Sequence, residues 1–397
     1  MNASWVLGAG AWCCVTLGAQ AASAQQHPAP SASTQLRAPA VDYLVFVASE
    51  GNDRISLVRF GPSGLTVDRV SKIGRNPTEP VGPHGIAVSP DGRYYYVSTA
   101  HGFPNGELWK FTTAGDSLKG SVTLGMFPAT LQISPDGLYA YVVNFNVYGE
   151  MKPSSVSVVY VDEMAEVARL TTCIMPHGSR LNRQGTRHYS ACMMDDALIE
   201  IDTRTLGVAR HFILKKGAEH GATSGIGDRE SGMDHARHGM EPPKPGDVSC
   251  SPTWAQPSAD GSKVYVACNK SSDVVEIDVA SWTMTRRFPM GPGVYNLAAT
   301  HDGKLLVGTN KRGQSVSIVD LATGKEVAVL PTKRKVASGV AISPDDRYAF
   351  VTVEGIGSEP GTVEVIDLRA LRTVATVDVG QQAGGIDFWK TVPAGSH

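Results

Sequence analysis

The chain has 397 residues, 42% of them hydrophobic, with 36 basic and 38 acidic side chains and a formal net charge of −2. That length admits one large all-β domain or two or three ordinary ones, and the balanced charge argues against double-stranded nucleic acid or an anionic membrane as partner. Its 42 glycines and 24 prolines are spread along the whole chain, which suits a fold with many tight turns and excludes a low-complexity protein.

Residues 1–24 read as an export signal. The stretch 5–17 is uncharged and mostly apolar, short for a bilayer span, and small residues follow it up to Ala22-Ser23-Ala24, the pattern a signal peptidase pocket admits. No Lys or Arg precedes the apolar run, so the amino terminus alone supplies positive charge there. Residues 25–41, rich in Pro, Ser, Ala and Gln, are expected to be a disordered leader. No later segment is apolar enough to cross a membrane, so the expected site of action is the periplasm, the cell surface or the medium.

From residue 42 onward one short turn recurs. It stands as Ser89-Pro90-Asp91-Gly92, Ser134-Pro135-Asp136-Gly137, Asn182-Arg183-Gln184-Gly185, Ser258-Ala259-Asp260-Gly261, Thr300-His301-Asp302-Gly303 and Ser343-Pro344-Asp345-Asp346. Proline presets φ, and Asp-Gly accepts the positive φ of a tight hairpin. An apolar run such as Gly85-Ile86-Ala87-Val88 precedes each turn, and a β-rich run such as Tyr94-Tyr95-Tyr96-Val97 follows it. Next come a polar loop, an alternating strand such as Val274-Val275-Glu276-Ile277-Asp278, and a fourth strand. Four short antiparallel strands repeating every roughly 42 to 48 residues is the pattern of a propeller blade. The step from Asn182 to Ser258 is too long for one blade and carries an insertion at about 216–249, where Gly, His, Pro and charge replace the strand pattern.

Six turns give six blades, and a seventh is split. Residues 43–73 supply three of its strands, and Gly384-Gly385-Ile386-Asp387-Phe388-Trp389 matches the missing first strand. The predicted fold is therefore all-β: a seven-bladed propeller of four-stranded blades over 42–390, monomeric, closed by a C-terminal strand that completes the first blade. Closure removes open sheet edges. Residues 391–397 are expected to be a disordered tail.

The repeat residues resemble the YVTN-type propeller family of cytochrome d1-like and surface-layer-associated proteins. The resemblance rests on residues 83–92 (Pro-His-Gly-Ile-Ala-Val-Ser-Pro-Asp-Gly), Tyr96-Val97-Ser98-Thr99, Tyr141-Val142-Val143-Asn144, Val307-Gly308-Thr309-Asn310 and the Val-x-x-Ile-Asp strands, and it covers nearly all of 42–390. Such motifs specify fold well and function poorly. The resemblance implies a haem held by channel-mouth histidines in cytochrome d1-like relatives, whose propellers have eight blades against the seven counted here. Lactonases on similar propellers imply a hydrolytic alternative using His84 with Glu50 and Glu354.

Cys13 and Cys14 lie in the export signal, which leaves Cys173, Cys192, Cys250 and Cys268 and three possible pairings. The repeat selects one. Cys173 and Cys192 stand at the start and end of the first hairpin of blade four, and Cys250 and Cys268 occupy the same places in blade five. The first two strands of a blade are antiparallel, so each pair comes within disulfide reach. Thiolate metal ligation helped by Met193 and Met194 is the competing reading.

Loops leading into the innermost strands, and loops between second and third strands, share one face and ring the channel mouth. They carry His84, His177, Trp254 and Tyr295 in the first set, and Glu50, His101, Asn144, Met193 and Glu354 in the second. Polar groups converging on a concave mouth are the default binding site. The insertion falls on the same face and adds His235 and His238, three apart. Imidazole with thioether suits copper, and imidazole with carboxylate suits zinc. His84, His101, His177, His235 and His238 are thus candidate ligands for copper, zinc or a metal cofactor, with Glu50, Asn144, Met193, Trp254, Tyr295 and Glu354 as ligand contacts. Alternatively the same histidines bond backbone carbonyls, and the insertion is a hydrophilic loop; His188, within a strand beside Arg187 and Tyr189, reads as a blade-surface residue. No nucleophile elbow, phosphate loop, His-Glu-x-x-His or c-type haem motif occurs. The expected function is an exported binding scaffold without catalytic residues, its partner a small ligand or another periplasmic or surface protein. Single-stranded nucleic acid is a weaker alternative, because the basic residues form no stripe.

Overall fold

The computed structural model describes residues 38–76, 78–101, 104–222 and 248–395. Its hairpins grow from the recurring turn. In blade two, Ser89 Oγ donates to Asp91 Oδ1 (2.6 Å) and accepts the Tyr94 N–H (3.0 Å), and Gly92 N–H donates to the Ser89 carbonyl (2.8 Å). Gly92 takes φ 70°, a left-handed value free of cost without a Cβ. In blade seven Asp346 replaces that glycine at φ 55°, and its carboxylate accepts the His301 and Asp302 N–H groups of blade six at 2.7 and 2.8 Å. Aspartate tolerates the left-handed region better than most residues, and here the odd residue also ties two blades together.

Seven antiparallel sheets result. The innermost strands of blades two to seven are Pro83–Val88, Pro128–Ile133, Pro176–Leu181, Pro252–Pro257, Val294–Ala299 and Val336–Ile342. Blade one consists of Val41–Ser49, Arg54–Gly61 and Gly64–Lys72, with Ala383–Pro393 as its innermost strand. Each innermost strand touches those of the blades on either side, and Ala383–Pro393 closes the circle between blades seven and two. The outcome is the closed seven-bladed propeller read from the repeat.

The closing strand is longer than 384–389. It pairs Val41 with Pro393 and Tyr43 with Thr391, so residues 391–393 form strand where a disordered tail was expected. Trp389 Nε1 donates to the Gly92 carbonyl (2.8 Å), fastening this strand to blade two.

Strands in the middle of a blade are buried on both faces, because each face packs on a neighbouring blade. Outermost strands alternate, as the half-buried and exposed residues of Gly64–Lys72 do. At the seam between blades seven and one, Tyr43 and Phe60 meet Tyr348 and Phe350, with the Tyr43 and Tyr348 rings edge to face at 5.2 Å. The same two-sided burial overturns the surface reading of His188. It is fully buried in Arg187–Cys192, stacks on Tyr141 at 5.2 Å, and burial pushes its pKa down to about 3.

Disulfides join Cys173 to Cys192 and Cys250 to Cys268, with Cα–Cα distances of 5.9 and 4.4 Å. The insertion begins with a short strand, His220–Ala222, that adds a fifth strand to blade four. His235 and His238 lie outside the described residues. Among those described, no helix is long and apolar enough to cross a membrane.

Candidate functional site: the channel mouth

Two polar networks face each other across one end of the channel. The first joins blades one and two. Glu50, in the turn after Val41–Ser49, accepts from Nδ1 of His84 at 2.5 Å and from Nε2 of His101 at 2.9 Å. Burial opposes ionisation of Glu50, but the bonds from His101 and His84 outweigh it and hold the carboxyl well below the ordinary range. An ionised carboxylate only accepts, so protons sit on Nδ1 of His84 and Nε2 of His101. The His101 pKa is raised, chiefly by that bond. When neutral, His84 therefore presents Nε2 as a lone-pair donor. This is the carboxylate–histidine arrangement that fixes the tautomer of a metal-binding imidazole.

The second network joins blades four to seven. His177 Nδ1 lies 3.1 Å from the Thr253 carbonyl, which can only accept, so Nδ1 carries the proton. Its Nε2 accepts from the Tyr295 hydroxyl at 2.8 Å. His177 is buried, and burial, reinforced by repulsion from His84 and Lys311, takes its pKa down to about 3. Lys311 Nζ sits 3.7 Å from the Tyr295 ring centroid and 3.3 Å from Glu354 Oε1.

The His84 and His177 rings are 6.3 Å apart, centroid to centroid, close for residues two blades apart. An aromatic wall runs beside them. Phe127 is edge-on to His84 at 5.1 Å and Phe145 to His177 at 4.9 Å, while the exposed Tyr148 packs on Phe127 at 5.5 Å.

The sequence-predicted residues thus divide. Glu50, His84 and His101 form one network, and His177, Tyr295 and Glu354 belong to the other. Trp254 is buried in the channel wall, 6.4 Å from the His177 ring. Asn144 is not at the mouth. It is fully buried, bonding Ser155, Ser157 and the Gly125 N–H inside blade three. Met193 is half-buried beside the Cys192 hairpin end, with its N–H bonded to the Met175 carbonyl. The three histidines do not converge on one point. His84 and His101 each turn a nitrogen to Glu50, and both nitrogens of His177 are already bonded. Among the described residues, no group of three or more His, Cys, Asp or Glu is placed to hold a metal ion. The sequence reading missed the wall of Phe127, Phe145 and Tyr148. Its only signal was Phe127 in the loop that enters blade three, and Phe145 and Tyr148 together in the loop between its second and third strands.

Residues 300–390 match the family described as Cytochrome D1 heme domain. No curated protein matches the sequence. Among solved structures, hydrazine synthase of Kuenenia stuttgartiensis is similar at 21% identity and TM-score 0.60, over 80% of this chain and 93% of that one. A functionally unknown protein from Desulfotomaculum acetoxidans DSM 771 is similar at 14% identity and TM-score 0.63, over 87% of this chain and 98% of that one. A candidate 6-phosphogluconolactonase from Bacteroides uniformis ATCC 8492 gives 14% and 0.63, over 87% and 99%. At these identities the likeness is one of fold. The match over residues 300–390, the repeat and the ring of seven blades make this chain similar to the cytochrome d1-like, YVTN-type β-propellers.

Proposed function

We propose that this is an exported binding propeller whose channel mouth takes a metal-bearing ligand, with Nε2 of His84 as its protein donor. The observation behind the reading is the Glu50–His84 hydrogen bond, which leaves one oriented lone pair at the mouth. The donor set suits a group that brings most of its own ligands, such as a metal macrocycle, better than a bare copper or zinc ion, which needs three or four protein donors. The wall of Phe127, Phe145 and Tyr148 offers apolar surface for a flat molecule. A group so bound would supply an exchangeable coordination position; the chain's part is to orient the imidazole and exclude water on the aromatic side. Two disulfides and the leader support export.

The test is titration of the purified, untagged protein with haemin and, separately, with copper(II) and zinc(II). The expected result is one haemin per chain with a shifted Soret band, lost in His84→Ala and weakened in Glu50→Gln. A haemin spectrum that His84→Ala leaves unchanged would overturn the reading. So would stoichiometric copper or zinc binding that survives His84→Ala, or lactone hydrolysis that vanishes in Glu354→Ala.

A further inference from the structure

The seven innermost strands, superimposed on their repeat, place one residue per blade in each layer of the channel. In the layer of Ala87, blades six and seven also carry alanine, Ala298 and Ala341. The other four blades carry Gln132, Arg180, Gln256 and Asp387. A layer that holds alanine in three blades and a neutral amide in two therefore also holds a cation and a carboxylate.

Arg180 is the unusual member. A guanidinium has five N–H donors, yet among the described residues its hydrogen bonding is confined to Nη1–H donating to the Ser179 carbonyl at 2.9 Å. No described carboxylate lies within ion-pair distance. Asp387, on the innermost strand of blade one, spends Oδ2 on the Val88 N–H at 2.7 Å and Oδ1 on the Phe388 N–H at 2.9 Å. The guanidinium rests on the indole of Trp254, with Cζ 4.4 Å from the ring centroid, which fixes its plane.

A cavity of about 50 Å³ separates this guanidinium from the mouth histidines; Arg180, His84, His177, Trp254, Asn296 and Ser338 are among its walls. On this scale a water needs about 10–15 Å³, so there is room for a molecule of three or four heavy atoms. Two wall residues keep a buried polar atom without a partner: the Nε1–H of Trp254 and the Oδ1 of Asn296, each residue 5% exposed. Buried polar groups are nearly always satisfied, and an exception calls for an explanation. A half-buried cation with no ion-pair partner among the described residues calls for a counter-charge. One occupant answers both.

We propose that this cavity is a binding site for a small monovalent oxyanion of the carboxylate or nitrate type, held by the guanidinium of Arg180 with the indole N–H of Trp254 as a further donor. A planar oxyanion matches the guanidinium fork bidentately. The Asn296 amide presents its NH₂ by a flip of the side chain, an assignment the hydrogen-bond network decides. The site adjoins the mouth and shares His84 as a wall, but its donors, Arg180 and Trp254, are not the donor proposed there.

The experiment is titration of the full chain with sodium formate and sodium nitrate at constant ionic strength, with sodium sulfate as control. Tryptophan fluorescence and melting temperature are followed in wild type, Arg180→Met, Arg180→Lys and Trp254→Phe. Expected is a saturable response to formate and nitrate, none to sulfate, and affinity reduced by roughly tenfold or more in Arg180→Met. Arg180→Lys, which keeps the charge and loses the fork, and Trp254→Phe, which keeps the ring and loses the N–H, are expected to fall between; either serves if Arg180→Met does not fold. A wild type that shows no saturable response, a channel holding water only, overturns the proposal. So does a response equal in all four proteins.

Discussion

Glu50 and His84 meet across the seam between blades one and two, carboxylate oxygen to Nδ1 at 2.5 Å. The contact exists because Glu50 ends the strand that the C-terminus pairs with, while His84 opens the next blade. It thus depends on ring closure, and it determines which nitrogen of His84 is free.

Glu50→Gln tests the charge of that contact. The Glu50 pKa is held below its ordinary value of 4.5, so its contribution to stability is present above that pH and is lost as pH falls. The His101 pKa is raised above 6.5, so its share is complete below 6.5 and is lost as pH rises through the raised value. Wild type should therefore exceed Glu50→Gln by about 1 kcal/mol, discounted for the partial exposure of both histidines, in a window from pH 4.5 to somewhat above 6.5. The difference should shrink on either side. Urea unfolding at pH values inside and flanking this window measures it, and a difference that stays constant with pH would count against the charged pair.

The disulfides close loops of 19 and 18 residues by sequence separation. In the chain-entropy model each contributes about 3 kcal/mol, set against the backbone freedom of two adjacent blades. Cys173→Ser/Cys192→Ser and Cys250→Ser/Cys268→Ser should each lower unfolding free energy by roughly that amount, and reductant should bring wild type toward the quadruple variant. Denaturation curves with and without dithiothreitol check this. Non-reducing peptide maps that showed free or crossed cysteines would refute the pairing itself.

Both disulfides were legible because a repeat fixes strand register: once Ser-Pro-Asp-Gly marks each hairpin, the ends of its two strands are known to be neighbours. The split blade was legible for the same reason, since Gly384-Gly385-Ile386-Asp387 repeats the pattern at Gly85. What failed to show was contact between blades. The His177–Tyr295 bond spans two blades, and the approach of His84 to His177 depends on channel radius, which no local pattern encodes. Asn144 looked like a mouth residue because its loop is one, yet its amide turns into the blade to satisfy Ser155 and Ser157. His188 looked exposed because alternation predicts one wet face, and a blade's middle strands have none. The column of Ala87, Arg180 and Asp387 was readable in principle by stacking the innermost strands, a comparison across blades and not along the chain.

Asp387 supplies the remaining prediction, which joins stability to anion binding. It is half-buried, and desolvation there pushes its pKa up to about 6 against the bonds from Val88 and Phe388 and the attraction of Arg180. Of the groups around Arg180, burial has taken both His177 and His188 down to about 3, and Arg180, lowered by desolvation to about 10, remains a cation. His84, farther up, is bonded to Glu50. An aspartate with a raised folded pKa favours folding while protonated, and that advantage is lost as pH rises from the unfolded value of 3.8 through about 6. Asp387→Asn keeps an acceptor for the Val88 N–H and cannot ionise. It should therefore stabilise the protein at neutral pH by about 1–3 kcal/mol, with the gain fading below pH 4. Ionised Asp387 also competes with an added anion for the field of Arg180. Formate affinity in wild type should accordingly rise as pH falls through 6, while Asp387→Asn should be higher at neutral pH and lack that part of the rise. Paired unfolding and formate titrations between about pH 5 and 7 decide both halves. If wild type and Asp387→Asn show the same pH dependence of formate affinity, Asp387 is not the competing charge.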